Sequence, residues 1–228
     1  MQIESSAIMQ LIDITGPIYT GMWSYEAPYP QVKIEPIPQP PWVEAAVYAN
    51  FITGLSTQTG TYLETAAHIN QDAICLDVIE LRDLFLRETV IINVAARSEA
   101  RQPITQEELE TSLGDFVIKP QTAIIVGTGW GQYWHEDFYL SAAPYFTSEA
   151  MDWLLSMSPF LIGADSPRWD NLKSPQGFWK NFFDSGTLLL APVINIEQVK
   201  ARTCRLIVLP LKLTGTSAAP SRAVLVIE

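Results

Sequence analysis

Four side chains with catalytic potential fall within one short segment, STQTGTYLETAAHINQD, at residues 56–72. They are Gln58, Tyr62, Glu64 and His68. In an extended chain the first three share one face, and Gly60 between them leaves room there for a ligand. A bend after Glu64 would bring His68 over the carboxylate. The pattern predicts a pocket that binds a polar substrate and moves protons.

The same spacing permits a purely structural interpretation, in which Glu64 and His68 hydrogen-bond each other and hold a turn. The alternation of side chains along the segment is compatible with both interpretations. The chain has only two histidines, so a zinc site with three imidazole ligands cannot form within it. We expect the second histidine, His135 in YWHED, to lie at the surface without a role.

Composition excludes several classes of protein. Lys and Arg number 14 against 25 Asp and Glu, which gives a net charge of −11. This balance argues against binding to nucleic acid or to an anionic membrane surface. No apolar run reaches transmembrane length, and the first residues do not resemble a signal peptide. With two cysteines in 228 residues, we expect one domain over residues 1–228 in the reducing cytoplasm.

Seven apolar runs bounded by turn residues are predicted as strands. They are residues 45–51, 89–94, 123–128, 160–165, 187–190, 204–209 and 223–227. Several are apolar on both faces, which is typical of strands buried in a layered sheet. Residues 28–41 are rich in proline, so this stretch is predicted to be an extended arm or an edge hairpin.

Two helices are well marked. Thr105 and Glu108 have the spacing of a capping box, which predicts a helix after Pro103. A second helix is predicted from Thr147 through SEAMDWLLSM, and a short third one near residues 79–86. Strands and helices are intermixed, so the sequence predicts a mixed α/β domain.

Several segments in order resemble the cyclase family, which includes bacterial kynurenine formamidase and isatin hydrolase. The family motif is His-x-Gly-Thr-His-x-Asp-x-Pro-x-His, and this chain has QTGTYLETAAH at residues 58–68. Further resemblance lies in LIDITGPIYTGMWSYEAPYP, IIVGTGWGQYW, PYFTSEAMDWLL, LIGADSP, INIEQV, VLPLKLTG and PSRAVLV. It implies the family's swivelling β/β/α domain, a mixed sheet with flanking helices. It also implies a homodimer or homotetramer in which loop aromatics complete a neighbour's pocket.

The chain departs from the family at the metal ligands. In metal-dependent members the first two motif histidines and the Asp are ligands, and the last His is a proton shuttle. Gln58, Tyr62 and Glu64 stand at those ligand positions, whereas the shuttle is kept as His68. The family also has a later His and Glu about twelve residues apart. Glu197 in INIEQV is taken as this Glu, which places the His near position 185.

These departures predict that no metal cofactor is bound. If one were, its ligands would be oxygen donors. They would be Glu64, Glu197, Gln58 and Asp184. Oxygen suits Mg²⁺, Ca²⁺ or Mn²⁺ better than Zn²⁺, and an unperturbed phenol such as Tyr62 ionises only near pH 10. We therefore interpret the two-zinc site of the formamidase type as dismantled.

The resemblance also implies substrate contacts and a function. Trp23 and Tyr25 stand where family members place aromatic pocket residues, and Gln58 and Glu197 complete the predicted contacts. Asp165 in GADSP is expected to hold a turn. We predict a cyclase-family enzyme that uses His68 as general acid or base, with Glu64 and Tyr62 as its catalytic partners.

The predicted substrate is a small aromatic or polyketide-like molecule. The predicted reaction is cyclisation, dehydration, or hydrolysis of a lactone or an amide. One alternative is a metal-dependent amide hydrolase of arylformamidase type. The other is a non-catalytic small-molecule-binding protein on a decayed enzyme scaffold.

Overall fold

A computed structural model describes residues 9–46 and 48–227. The strands in these residues are β1 (Gln10–Asp13), β2 (Lys33–Pro36), β3 (Asn50–Thr53), β4 (Tyr62–Glu64), β5 (Arg87–Asn93), β6 (Pro103–Ile104), β7 (Ala123–Gly127), β8 (Tyr145–Phe146), β9 (Leu161–Ala164), β10 (Leu188–Ala191), β11 (Thr203–Pro210) and β12 (Ala218–Ile227). The α-helices are α1 (Gln106–Leu113), α2 (Ser148–Ser156) and α3 (Trp179–Asp184). Across this described part of the chain, no helix is long and apolar enough to cross a membrane.

Eight strands form one mixed sheet in the order β1-β12-β11-β5-β7-β9-β10-β4. Strand β4 also pairs with β12, so the sheet closes into a barrel-like ring. The neighbours among β5, β7, β9 and β10 are parallel, and the other pairs are antiparallel. The mixed α/β class with flanking helices that the sequence predicts is confirmed.

The alternation of side chains along the strands separates two apolar cores. On β4, Leu63 packs in a core built from all eight strands of the sheet, whereas Tyr62 packs in a core shared with the three helices. On β10, Leu190 packs in the same core as Leu63, and Leu189 packs in the same core as Tyr62. The helix-covered face of β4 and β10 therefore carries Tyr62, and by the same parity Glu64.

The two capped helices are confirmed. Thr105 accepts a hydrogen bond from the backbone N–H of Glu108, whose side chain bonds back to the Thr105 N–H. Thr147 caps α2 through the N–H of Ala150. The third predicted helix, at residues 79–86, is wrong: only a 3₁₀ turn at Leu81–Asp83 forms there, because Ile79 and Glu80 are extended and Leu86 has a positive φ of 56°.

Six predicted strands are confirmed within a few residues. The strand predicted at 45–51 is wrong in extent, since β3 begins only at Asn50; Val47 lies outside the described residues. Strand β3 pairs antiparallel with β2 in a separate two-stranded sheet, which confirms the hairpin alternative for the proline-rich stretch. The short helix α3 was not predicted, although it forms one wall of the cavity described next.

Candidate active site

A cavity of about 400 Å³ opens on the helix-covered side of β4 and β10. Its lining residues come from the motif segment, β10, α3, the loop after β9 and residues 25–29. They are Tyr25, Glu26, Tyr29, Gln58, Tyr62, Glu64, His68, Ile69, Pro167, Arg168, Trp169, Asp170, Leu172, Trp179, Phe183, Leu189 and Ala191. The four motif residues singled out in the sequence therefore share one cavity.

The bend that the sequence predicts after Glu64 is a 3₁₀ turn at Ala66–His68. Thr65 begins it: its hydroxyl accepts from the Ala67 N–H at 3.2 Å and donates to the Ile74 carbonyl at 2.9 Å. The turn brings the Nδ1 atom of His68 to 2.7 Å from the Oε1 atom of Glu64. This contact is present in both interpretations of the motif, the catalytic and the structural one.

Glu64 is buried, and two side chains meet its carboxylate. Besides His68, Gln58 donates from Nε2 to both carboxylate oxygens, at 3.2 and 3.3 Å. The Tyr29 hydroxyl donates to the Oε1 atom of Gln58 at 2.6 Å. The opposite amide orientation would place two acceptor oxygens against each other, so the carboxylate fixes the orientation of Gln58.

The hydrogen bond that His68 donates to Glu64 raises the pKa of His68 above its ordinary value, although partial burial acts in the opposite direction. With Nδ1 donating to Glu64, the neutral imidazole has its lone pair on Nε2. The His68 side chain is 40% exposed, and its ring centroid lies 5.9 Å from that of Phe183. Nε2 is thus the nitrogen left for a substrate in this cavity.

Tyr62 and Tyr25 form a second hydrogen-bonded pair. Their hydroxyl oxygens are 3.2 Å apart, and Tyr25 donates to the Pro167 carbonyl at 2.9 Å. Burial raises the pKa of both phenols above the ordinary value, so both stay protonated near neutral pH. Because Tyr25 gives its one proton to Pro167, Tyr62 must donate to Tyr25. Tyr62 can polarise a substrate only if it turns away from Tyr25.

Three predicted site residues do not line the cavity. Trp23 lies behind it, edge-on to Tyr25 with ring centroids 5.9 Å apart. Asp184 is exposed at the end of α3 and pairs with Lys180. Glu197 is exposed in a 3₁₀ turn whose neighbour Ile196 packs in the core enclosed by the ring. The expectation that Glu197 shares a cavity with His68 is wrong, because this packing directs the turn to another part of the surface.

Trp179 and Ala191 meet the spacing that the family resemblance implies for its later His and Glu. They are 191 − 179 = 12 residues apart, and both line the cavity. On β10, Ala191 stands directly opposite Tyr62 of the motif strand. An indole and a methyl group therefore line the cavity at this spacing, whereas Ser185 and Glu197 are not among its lining residues.

The cavity residues do not fit a transition-metal site. Within residues 9–46 and 48–227, no cluster of three or more His, Cys, Asp or Glu side chains has the geometry to hold an ion. The oxygens of Glu64 are already engaged by Gln58 and His68. Tyr62, Trp179 and Ala191 supply a protonated phenol, an indole and a methyl group, none of which is an ordinary metal ligand.

Asp165 has the structural role that the sequence predicts. It accepts hydrogen bonds from the Thr128 N–H at 2.9 Å, the Thr128 hydroxyl at 2.7 Å and the Trp130 N–H at 3.0 Å. Burial raises its pKa to about 6 against these bonds. Asp165 thereby ties the ends of β7 and β9 together and holds the loop that carries Pro167. The other histidine, His135, packs against the Tyr19 ring at 5.0 Å, outside the cavity lining.

Several residues of the cavity were not predicted from the sequence. Arg168 was not considered, although it directly follows the Ser-Pro of the GADSP turn. Phe183 was missed, and Trp179 was expected in a loop, because α3 was not predicted. Aromatic residues at i and i+4 in FWKNFFD were the available signal for that helix.

Comparison with known proteins identifies the family. Residues 12–171 match the cyclase family, described as "Putative cyclase". The chain is 27% identical to the kynurenine formamidase of Salinibacter ruber over 173 residues, 75% of this chain and 76% of that one. The chain therefore belongs to the cyclase family.

Solved structures agree in fold. An isatin hydrolase bound to the product analogue thioisatinate has a TM-score of 0.78 at 18% identity, covering 96% of this chain and 92% of that one. A "predicted metal-dependent hydrolase" from Bacillus stearothermophilus has a TM-score of 0.76 at 22% identity, covering 96% and 99%. The swivelling β/β/α fold that the resemblance implies is confirmed.

Proposed function

We propose that this chain is a cyclase-family enzyme that carries out proton-transfer chemistry on a small aromatic substrate, with His68 as the general acid and base. The single observation that carries the proposal is the 2.7 Å contact between Nδ1 of His68 and the buried Glu64. It leaves Nε2 as the basic atom in a cavity with aromatic walls. An oriented imidazole beside a carboxylate is the usual arrangement of a base and its orienting group.

The proton steps follow from this arrangement. Nε2 takes a proton from a C–H, O–H or N–H bond of the substrate, or in hydrolysis from the attacking water molecule, and Glu64 stabilises the imidazolium through Nδ1–H. The electron pair of the broken bond forms an enolate, closes a ring or attacks a carbonyl. The same proton then passes from Nε2 to the leaving oxygen or nitrogen. The same dyad can therefore support cyclisation, water loss, or hydrolysis of an activated lactone or amide.

The aromatic walls support a planar substrate. Trp179 and Phe183 pack nearly parallel, at 20° with ring centroids 5.8 Å apart, and Trp169 is also nearly parallel to Trp179, at 14° with centroids 6.2 Å apart. Aromatic faces of this kind favour ring-bearing ligands. Two relatives are named for hydrolysis, as a formamidase and an isatin hydrolase, which makes an amide or lactam carbonyl a fitting reacting group.

The test is turnover of a fixed panel by matched histidine variants. The panel contains isatin, N-formylkynurenine and dihydrocoumarin, each followed by absorbance. His68→Gln should lower kcat by roughly 10²–10⁴-fold, the usual contribution of a general acid–base group. His135→Gln, which changes the other histidine, should leave kcat unchanged. Full activity of His68→Gln on a turned-over substrate would end this mechanism.

A metal-dependent hydrolase is the competing function, because a relative of the same fold is described as one. Dialysis against a chelator separates the two. Our proposal expects activity to survive chelation, whereas a metal hydrolase would lose activity and regain it with added metal. Binding of the panel without turnover by the wild-type protein would instead support a non-catalytic binding protein.

A further inference from the structure

Arg168 places a cation inside the cavity that holds His68. Its side chain is only 10% exposed, and its guanidinium carbon lies 5.5 Å from the centre of the Tyr25 ring. The Ser166 hydroxyl holds the backbone here, since it accepts a hydrogen bond from the Arg168 N–H at 3.3 Å and donates to the Pro144 carbonyl at 2.6 Å. The guanidinium is therefore carried by a fixed segment of the cavity wall.

Most hydrogen-bonding capacity of this guanidinium is unused by the protein. Of its five N–H donors, only one on Nη2 is engaged within the described part of the chain, by the carboxylate of Glu26. Nε and Nη1 are not among the buried polar atoms that lack a partner there, so they reach open space. A nearly buried guanidinium with free donors facing a cavity is suited to bind a planar anion in a bidentate manner.

The charges around Arg168 leave room for an anion. Its partner Glu26 is 71% exposed, and an ion pair with so exposed a partner contributes little. Glu64 is already bonded by Gln58 and His68, and the Oδ1 atom of Asp170 accepts two backbone N–H groups at 2.7 Å. The protein has a net charge of −11 and repels anions at long range, so capture of an anion needs a local cation.

We propose that Arg168 binds a carboxylate of the substrate, which displaces Glu26 from the guanidinium. The substrate class is then an aromatic carboxylic acid, with its ring against the Trp179 and Phe183 wall and its reacting group at His68. This inference rests on the proposed function for the role of His68, but it concerns binding and not turnover. Glu26 occupies the anion position when no substrate is bound.

The test is calorimetric binding of benzoate and benzamide, which share shape and differ in charge. The wild-type protein should bind benzoate about 10- to 100-fold more tightly than benzamide, the range expected for charge-assisted hydrogen bonds. Arg168→Met, of similar length without charge, should abolish this preference. Glu26→Gln keeps Arg168 and removes its competitor, so it should strengthen benzoate binding several-fold. Arg222→Met, at an exposed ion pair with Asp13 outside the cavity, is the matched control.

Equal affinities for benzoate and benzamide in the wild-type protein would overturn the proposal. So would a benzoate preference that survives Arg168→Met, or weaker benzoate binding by Glu26→Gln. Should Arg168→Met fail to fold, Arg168→Lys keeps the charge but not the planar fork and should lose part of the preference. If the benzoate preference is absent but His68→Gln strongly lowers turnover, the proposed function stands and the role of Arg168 is wrong. If the benzoate preference depends on Arg168 but His68→Gln keeps full turnover, the cavity binds acids and His68 is not catalytic.

Discussion

The ionisation of His68 tests the central contact of the site without knowledge of the substrate. Glu64→Gln keeps the size of the side chain and removes the charge that stabilises the imidazolium. The hydrogen bond from Glu64 is the largest cause of the raised pKa of His68, and partial burial opposes it. The variant should therefore lower the His68 pKa.

The same contact should make stability depend on pH. A histidine whose pKa is raised in the folded state contributes its full stabilisation below its unfolded pKa, ordinarily near 6.5. That contribution is lost as the pH rises through the folded pKa. A hydrogen bond to a charged group is worth about 1.5–3 kcal/mol, and exposure of 40% of the His68 side chain reduces this to about 1 kcal/mol. Glu64→Gln should thus lower Tm by about 2–4 °C more at pH 6 than at pH 9.

The assay is a proton NMR titration of the imidazole Cε1–H signals. The chain has only two histidines, so spectra of the variant His68→Gln assign both signals. We expect the His68 signal to titrate above the ordinary value, and lower in Glu64→Gln than in the wild-type protein. Glu99→Gln, at an exposed loop carboxylate, is the control and should move neither signal. A His68 pKa that is unchanged by Glu64→Gln would refute the assigned contact.

Two further predictions concern the second hydrogen-bonded pair and the metal. Tyr25→Phe should reduce the free energy of unfolding by about 1–3 kcal/mol, because the Pro167 carbonyl and the Tyr62 hydroxyl lose their partner. Urea unfolding measures this change, with Tyr48→Phe at an exposed position as the control. An equal effect of both variants would contradict the prediction. Protein purified without chelator should contain less than stoichiometric zinc by mass spectrometry of its elements, and one zinc per chain bound through Glu64 would disprove our interpretation of the motif.

The parts of the fold that were predictable from sequence are those that local rules determine. Capping residues fixed the starts of α1 and α2, and apolar runs located the strands of the ring. The two-residue alternation placed Tyr62 and Glu64 on one face of β4, and the predicted bend is the 3₁₀ turn that carries His68. Gln58 reaches the same cavity from a turn outside β4, where the chain is not extended as the alternation assumed.

The parts that failed depend on contacts between distant segments. The register of β10 against β4 places Ala191 opposite Tyr62, and no local pattern shows this. Glu197 was chosen because INIEQV resembles the end of the family's sequence, whereas the chain buries Ile196 and exposes Glu197. Arg168 was missed because its importance comes from the cavity that it faces and from the donors that the protein leaves unused.

The departures from the family motif share one physical consequence. The resemblance implies a metal ligand at the position of Glu64, and in this structure the buried carboxylate is met by hydrogen-bond donors on Gln58 and His68. Retention of His68 therefore has a structural reason that is independent of catalysis, because loss of its Nδ1–H would leave part of a buried carboxylate unpaired. The Nε2 atom does not take part in pairing this carboxylate. Measurement of stability reports on the first role of the imidazole, and turnover reports on the second. A variant that can keep a hydrogen bond to Glu64 but lacks a basic second nitrogen separates them, and His68→Asn is such a variant because its amide nitrogen stands near the position of Nδ1.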